Sequence, residues 1–70
     1  MSDASLLLVN GEPHDLPSGT TVADVVALVA PSRRGIAVAL NGDVVPRSAW
    51  ERTALSSGDR VEVLTAAQGG

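Results

Sequence analysis

Residues 20–31 read Thr20-Thr21-Val22-Ala23-Asp24-Val25-Val26-Ala27-Leu28-Val29-Ala30-Pro31, and the fold turns on whether this stretch is a helix or a strand. Its four valines favour a strand, because branching at Cβ restricts χ1 and lowers helix propensity. Their spacing says otherwise. Val22, Val25, Val26 and Val29 fall at i, i+3, i+4 and i+7, the apolar stripe of an amphipathic helix. Thr21 with Asp24 three positions on is a capping-box pattern, with Asp in place of the usual Glu. Pro31 supplies the stop. Spacing, cap and stop together outweigh propensity and predict one helix.

On each side of it lies a hairpin signal. Residues 5–9 form a short apolar run, Ser5-Leu6-Leu7-Leu8-Val9, followed by Asn10-Gly11. Asn-Gly marks a two-residue hairpin turn because both turn positions need positive φ. The return strand runs to about Leu16, and Pro13, which lacks an N–H, assigns it to an edge. Pro17-Ser18-Gly19 then breaks the pattern. Beyond the helix, Ser32 to Gly35 is a loop. Ile36 to Leu40 alternates large and small residues, putting Ile36, Val38 and Leu40 on the core face and Ala37 and Ala39 on the other. Asn41-Gly42-Asp43 repeats the hairpin signal, and Val44-Val45 begins a strand that Pro46 ends. Residues 48–56, with Trp50 and Leu55, read as a helical turn and loop, with Trp50 closing one end of the core. Ser57-Gly58-Asp59 is a turn. Arg60 to Leu64 alternates again, with Val61 and Val63 inward.

Two hairpins flanking one crossing helix leave the last strand to pair with the first only as a parallel neighbour. That is the β-grasp arrangement: an α+β fold, a mixed sheet of four to five strands with one main helix on one face. Residues 1–65 are expected to form the single domain and 66–70 a flexible tail.

Composition excludes most other functions. The chain has 70 residues, no Cys and one His, which leaves no disulfide, thiolate metal site or thiol nucleophile. Five basic residues against eight acidic ones give a net charge of −3, the wrong sign for a phosphate backbone, so nucleic acid is not an expected partner. All five basic residues are Arg, so there is no ε-amine for Schiff-base chemistry. The apolar run from Leu6 to Val9 is too short for a signal peptide or membrane span, and a soluble, cytoplasmic protein is expected.

Side chains offer little chemistry. His14 reads as an exposed strand residue with no serine placed against it, and the acidic residues are dispersed rather than paired. The glycines at 11, 19, 42 and 58 follow turn-forming residues and match no phosphate-binding spacing. Arg33 and Arg34 read as part of a solvated loop. No metal site and no bound cofactor are expected. The end of the chain is different. After Leu64 every bulky group disappears, and the sequence closes Ala66-Ala67-Gln68-Gly69-Gly70. It reads either as a frayed terminus or as a reactive one, since glycines without Cβ let an extended backbone enter a channel too narrow for side chains.

The segments LLLVNGE, TTVADVVAL, GIAVALNGDVVPRSAW and above all SSGDRVEVLTAAQGG give the whole chain a resemblance to the ThiS/MoaD family of ubiquitin-like sulfur carrier proteins, most closely those of thiamine biosynthesis. The resemblance implies a carrier rather than an enzyme. An E1-like activating enzyme of the ThiF or MoeB type, using ATP and magnesium, would adenylate Gly70. A sulfur donor protein would convert it to a thiocarboxylate, and thiazole synthase, ThiG, would receive the sulfur. By position, Gly70 bears the sulfur, Gly69 permits channel entry, and Ala66, Ala67 and Gln68 form the lead-in.

The bare sheet face opposite the helix is expected to dock the activating enzyme. It should carry Ala37, Ala39 and Leu64, joined by either Leu6 and Leu8 or Leu7 and Val9. Other readings of the same chain are the small subunit of molybdopterin synthase, a carrier for other sulfur metabolites, and a conjugated ubiquitin-like modifier. From a different class, it could be a passive binding module with an inert tail.

Overall fold

A computed structural model describes residues 4–30, 32 and 34–65. The strands are β1 (Ala4–Val9), β2 (Glu12–Pro17), β3 (Ile36–Leu40), β4 (Asp43–Val45) and β5 (Arg60–Thr65). A single α-helix, α1 (Val22–Val29), separates β2 from β3, and a 3-10 helix (Arg47–Arg52) precedes β5. The strands form one mixed sheet in the order β2-β1-β5-β3-β4, with β1 and β5 parallel at its centre and every other pairing antiparallel. This is the expected β-grasp order with five strands. β2, with its two prolines, lies on the edge, where a missing N–H breaks no ladder.

Both hairpin turns have the backbone that Asn-Gly provides. Asn10 and Asn41 sit at φ +52°, and Gly11 and Gly42 at +83° and +91°, the left-handed conformations of a type I′ turn. The helix starts with the full capping box. The Asp24 amide donates to Thr21 Oγ1 at 3.2 Å, and the Thr21 amide donates to Asp24 Oδ2 at 3.0 Å. Val22, Val25 and Val26 are buried against the sheet, but Val29 is 37% exposed. With only eight residues, α1 ends before its last turn reaches cover, so the fourth member of the stripe lies half outside.

The core is Leu7, Val9, Val22, Val25, Val26, Val38, Trp50, Leu55, Val61 and Val63, with Ile36, Leu40 and Val45 half-buried at its margins. Trp50 fills the end of the core beside the 3-10 helix as expected. Its Nε1–H donates to the Val45 carbonyl at 3.0 Å, and the Arg47 guanidinium lies 5.4 Å from the ring centroid. The indole thus buries its ring while satisfying its one donor. His14 departs from its expected exposure. It faces the helix side of β2, opposite Leu7, and is half-buried.

The segment from Ser56 to Asp59 ties the sheet together. The Leu6 amide donates to Ser57 Oγ, the Gly58 amide donates to the Leu6 carbonyl, and the Leu8 amide donates to the Asp59 carbonyl. Asp59 also accepts from the Ser56 amide and from Asn41 Nδ2. The polar groups of this motif are thereby engaged in holding the last strand. Among the described residues no helix is long and apolar enough to cross a membrane.

Candidate functional site

β5 is the central strand, with β3 paired along it as far as Thr65 and β1 paired only at Arg60 and Val61. Alternation sends Val61 and Val63 into the core and Arg60, Glu62 and Leu64 to the opposite face. Leu64 is 65% exposed. Directly opposite it stands Ala37, with Ala39 opposite Glu62 and Val44 opposite Ala39. Small neighbours leave the Leu64 side chain standing clear of the surface. Leu64 and Ala37 are therefore outward as expected, and Ala39 is outward but partly covered.

The strand-one half of that expectation resolves to Leu6 and Leu8, since Leu7 and Val9 are buried. They do not join Leu64. The parallel register sets Leu8 beside Arg60, and the Leu6 carbonyl takes the Gly58 amide. Leu6 thus lies about 20 Å from Leu64 along the sheet, at ~3.3 Å per residue. Arg60 and Glu62 divide the face into two apolar areas. The one nearer the end of β5 consists of Leu64, Ala37, Ala39 and Val44. Val44, 79% exposed, belongs to this area, and its two-residue alternation with Val45 is the signal that places it there.

Two asparagines hold β5 near its two ends, and the sequence marks them only as turn formers. β1 ends at Val9, yet Val63 does not lose its partner on that side. Its amide donates to Asn10 Oδ1 at 2.8 Å, and its carbonyl accepts from Asn10 Nδ2 at 3.3 Å. At the other end of β5, the Arg60 amide donates to Asn41 Oδ1 at 2.9 Å, and the Asn41 amide donates to the Arg60 carbonyl at 2.8 Å. Each hairpin turn thus grips the last strand through its asparagine.

Among the described residues no three metal-ligating side chains come together. A shallow cleft of about 330 Å³ between the end of β2 and α1 is lined by Leu16, Pro17, Ser18, Gly19, Thr20, Asp24 and Leu28. Its one carboxylate, on Asp24, belongs to the helix cap. Arg34 is exposed, as expected of a solvated loop. Arg33 and the expected reactive segment, Ala66, Ala67, Gln68, Gly69 and Gly70, lie outside the described residues.

Comparison with known proteins agrees with this architecture. The crystal structure of a thiamine biosynthesis protein (ThiS) from Geobacter metallireducens superposes with a TM-score of 0.76 at 33% identity, over 86% of this chain and 91% of that one. The solution structure of a Geobacter metallireducens thiamine biosynthesis protein gives 0.70 at 32% identity, over 84% and 80%. Two longer proteins also contain a matching segment. A thiazole synthase from Paramagnetospirillum magneticum is 30% identical over 64 residues, which is 91% of this chain and 20% of that protein. A threonine–tRNA ligase from Oceanobacillus iheyensis is 31% identical over 67 residues, 93% of this chain and 10% of that protein. The chain therefore spans about a fifth and a tenth of the length of these curated relatives. A family model decides the matter of kinship: it matches residues 7–70, from the first buried leucine through the diglycine, and by that match this chain belongs to the ThiS family.

Proposed function

We propose that the chain is a sulfur carrier of thiamine biosynthesis, acting in the cytoplasm as substrate and carrier rather than as a catalyst. The observation that carries this reading is the family match, which extends from Leu7 to Gly70. In the proposed reaction an oxygen of the Gly70 carboxylate attacks the α-phosphorus of ATP on an E1-like enzyme of the ThiF or MoeB type, with magnesium supplied there. Pyrophosphate leaves. The carboxylate, a poor electrophile, becomes an acyl adenylate. The terminal sulfur of a donor-protein persulfide then attacks the acyl carbon and AMP leaves, giving an acyl disulfide. A thiol attacks the donor-side sulfur of that disulfide, forms a disulfide with the donor and releases the thiocarboxylate.

Gly69 lets the backbone enter the enzyme channel without a Cβ, and Ala66, Ala67 and Gln68 form the approach. The face formed by Leu64, Ala37 and Ala39 docks the activating enzyme; an exposed apolar patch beside the reactive segment suits that role. The acceptor is thiazole synthase. The Paramagnetospirillum magneticum protein supports this, because a segment like this chain is part of a polypeptide bearing that name. Linking two partners covalently raises their effective concentration without any new contact.

The test is the intact mass of the chain after incubation with an E1-like enzyme, Mg-ATP and a sulfur source. A gain equal to exchanging one oxygen for one sulfur, abolished when Gly70 is deleted, is expected. An unchanged mass with active enzyme refutes the carrier reading and leaves the apolar face as a passive binding surface.

A further inference from the structure

We propose that Asn10 is a positioning residue for the reactive segment: its side-chain amide holds Val63 on the β1 side, where that ladder has ended, and together with β3 on the other side fixes the course of β5 through Leu64 and Thr65. This rests on the carrier reading above. β1 pairs with β5 through the Leu8 amide on the Asp59 carbonyl and the Asn10 amide on the Val61 carbonyl. The next rung belongs to Val63. By then the chain has turned into the hairpin at φ +52°, and β1 has no further residue to offer. The Asn10 side chain supplies that rung, with acceptor and donor on one planar amide meeting both main-chain groups of Val63.

The consequence concerns the residue that follows. Leu64 has only Ala37 opposite it and is largely exposed, so neighbouring side chains do little to orient it. Its backbone is held on one side by β3, where Ala37 and Ile36 stand opposite Leu64 and Thr65, and on the other by the peptide planes around Val63 that Asn10 holds. If those planes loosen, this end of β5 is held on the β3 side alone and the docking side chain shifts relative to the sheet. A group that must reach an ATP phosphate is sensitive to such motion, since a misplacement of 1 Å can lower a rate by about 100-fold.

Asn41 provides an internal control. It grips β5 at Arg60, three residues before Val63, also through its side chain and also from an Asn-Gly turn. Asn10→Gly and Asn41→Gly both keep a residue that accepts positive φ, and each removes one side-chain grip on the strand.

The experiment measures ATP–pyrophosphate exchange by an E1-like activating enzyme across a range of concentrations of the full chain, with folded fractions checked by circular dichroism. For Asn10→Gly we expect kcat to fall about ten-fold with KM within two-fold of the wild type, and the Val63 amide to exchange with deuterium faster. For Asn41→Gly we expect kcat within two-fold of the wild type. A wild-type kcat for Asn10→Gly, or equal losses for the two variants, overturns the proposal while leaving the carrier reading intact. A wild-type chain that supports no exchange overturns both.

Discussion

Replacing Val26 by Ala, and separately Val29 by Ala, tests what makes the valine-rich segment helical. Ala is a better helix former than Val by up to ~0.7 kcal/mol, so propensity alone predicts that both variants are stabilised. Burial opposes it. Val26 is fully buried and Val29 is 37% exposed. Deleting two methyl groups from a buried site costs ~0.8 kcal/mol each, before any cavity term. For Val26 the loss of about 1.6 kcal/mol exceeds the propensity gain, giving a net destabilisation of about 1–2 kcal/mol. For Val29 roughly half the transfer loss applies, and the two contributions cancel to within about 0.5 kcal/mol.

Urea unfolding reads the difference through the buried indole of Trp50, the sole aromatic residue. With a slope near 1 kcal/mol per molar, as for small domains, Val26→Ala lowers the midpoint by about 1–2 M and Val29→Ala leaves it nearly unchanged. Equal losses at the two positions, or a neutral Val26→Ala, would refute the argument that packing overrides propensity here.

Other perturbations give equally definite expectations. Thr21→Ala removes one half of the capping box and should cost about 1 kcal/mol by thermal or urea unfolding. Asp24→Ala added to it should cost less than the sum of the two single changes, because both belong to one reciprocal pair. Trp50→Phe leaves the Val45 carbonyl without its indole donor and should cost about 1–3 kcal/mol, read by circular dichroism since the fluorophore is lost. Leu64→Asp should leave the thermal midpoint within about 2 °C, because an exposed position contributes little to stability. It should weaken adenylation by the activating enzyme at least ten-fold; unchanged kcat/KM would remove Leu64 from the docking face.

The parts of this fold legible in the sequence are those whose signals are local. The helix follows from a spacing and a cap within a dozen residues, and each hairpin from a dipeptide that tolerates positive φ. The central parallel pairing followed by elimination, because a helix crossing between two hairpins leaves the last strand only one place. The orientation of β1 was hidden because Leu6, Leu7, Leu8 and Val9 show no alternation. It is Ser5, buried in line with Leu7 and Val9, that shares their face, and nothing in its chemistry announces that. The grips of Asn10 and Asn41 were hidden for another reason. Turn geometry already accounts for an Asn before a Gly, while the partner of Asn10 lies 53 residues away in the chain. The separation of Leu6 from Leu64 depends on the β1–β5 register, and hydrophobic patterning alone does not report a register between two half-exposed strands.

The pairing of β1 with β5 also fixes when this domain can form during synthesis. β1 is the first strand translated and β5 the last, yet β5 stands between the two hairpins, which have no ladder to each other without it. A nascent chain ending before Arg60 thus holds two separate hairpins and a helix with half its cover. Contacts that span nearly the whole sequence delay folding until both ends are present. Assembly therefore waits for β5, and the strand leading toward the diglycine is the one whose arrival completes the sheet. A chain that stops before Arg60 lacks the strand that joins the two hairpins.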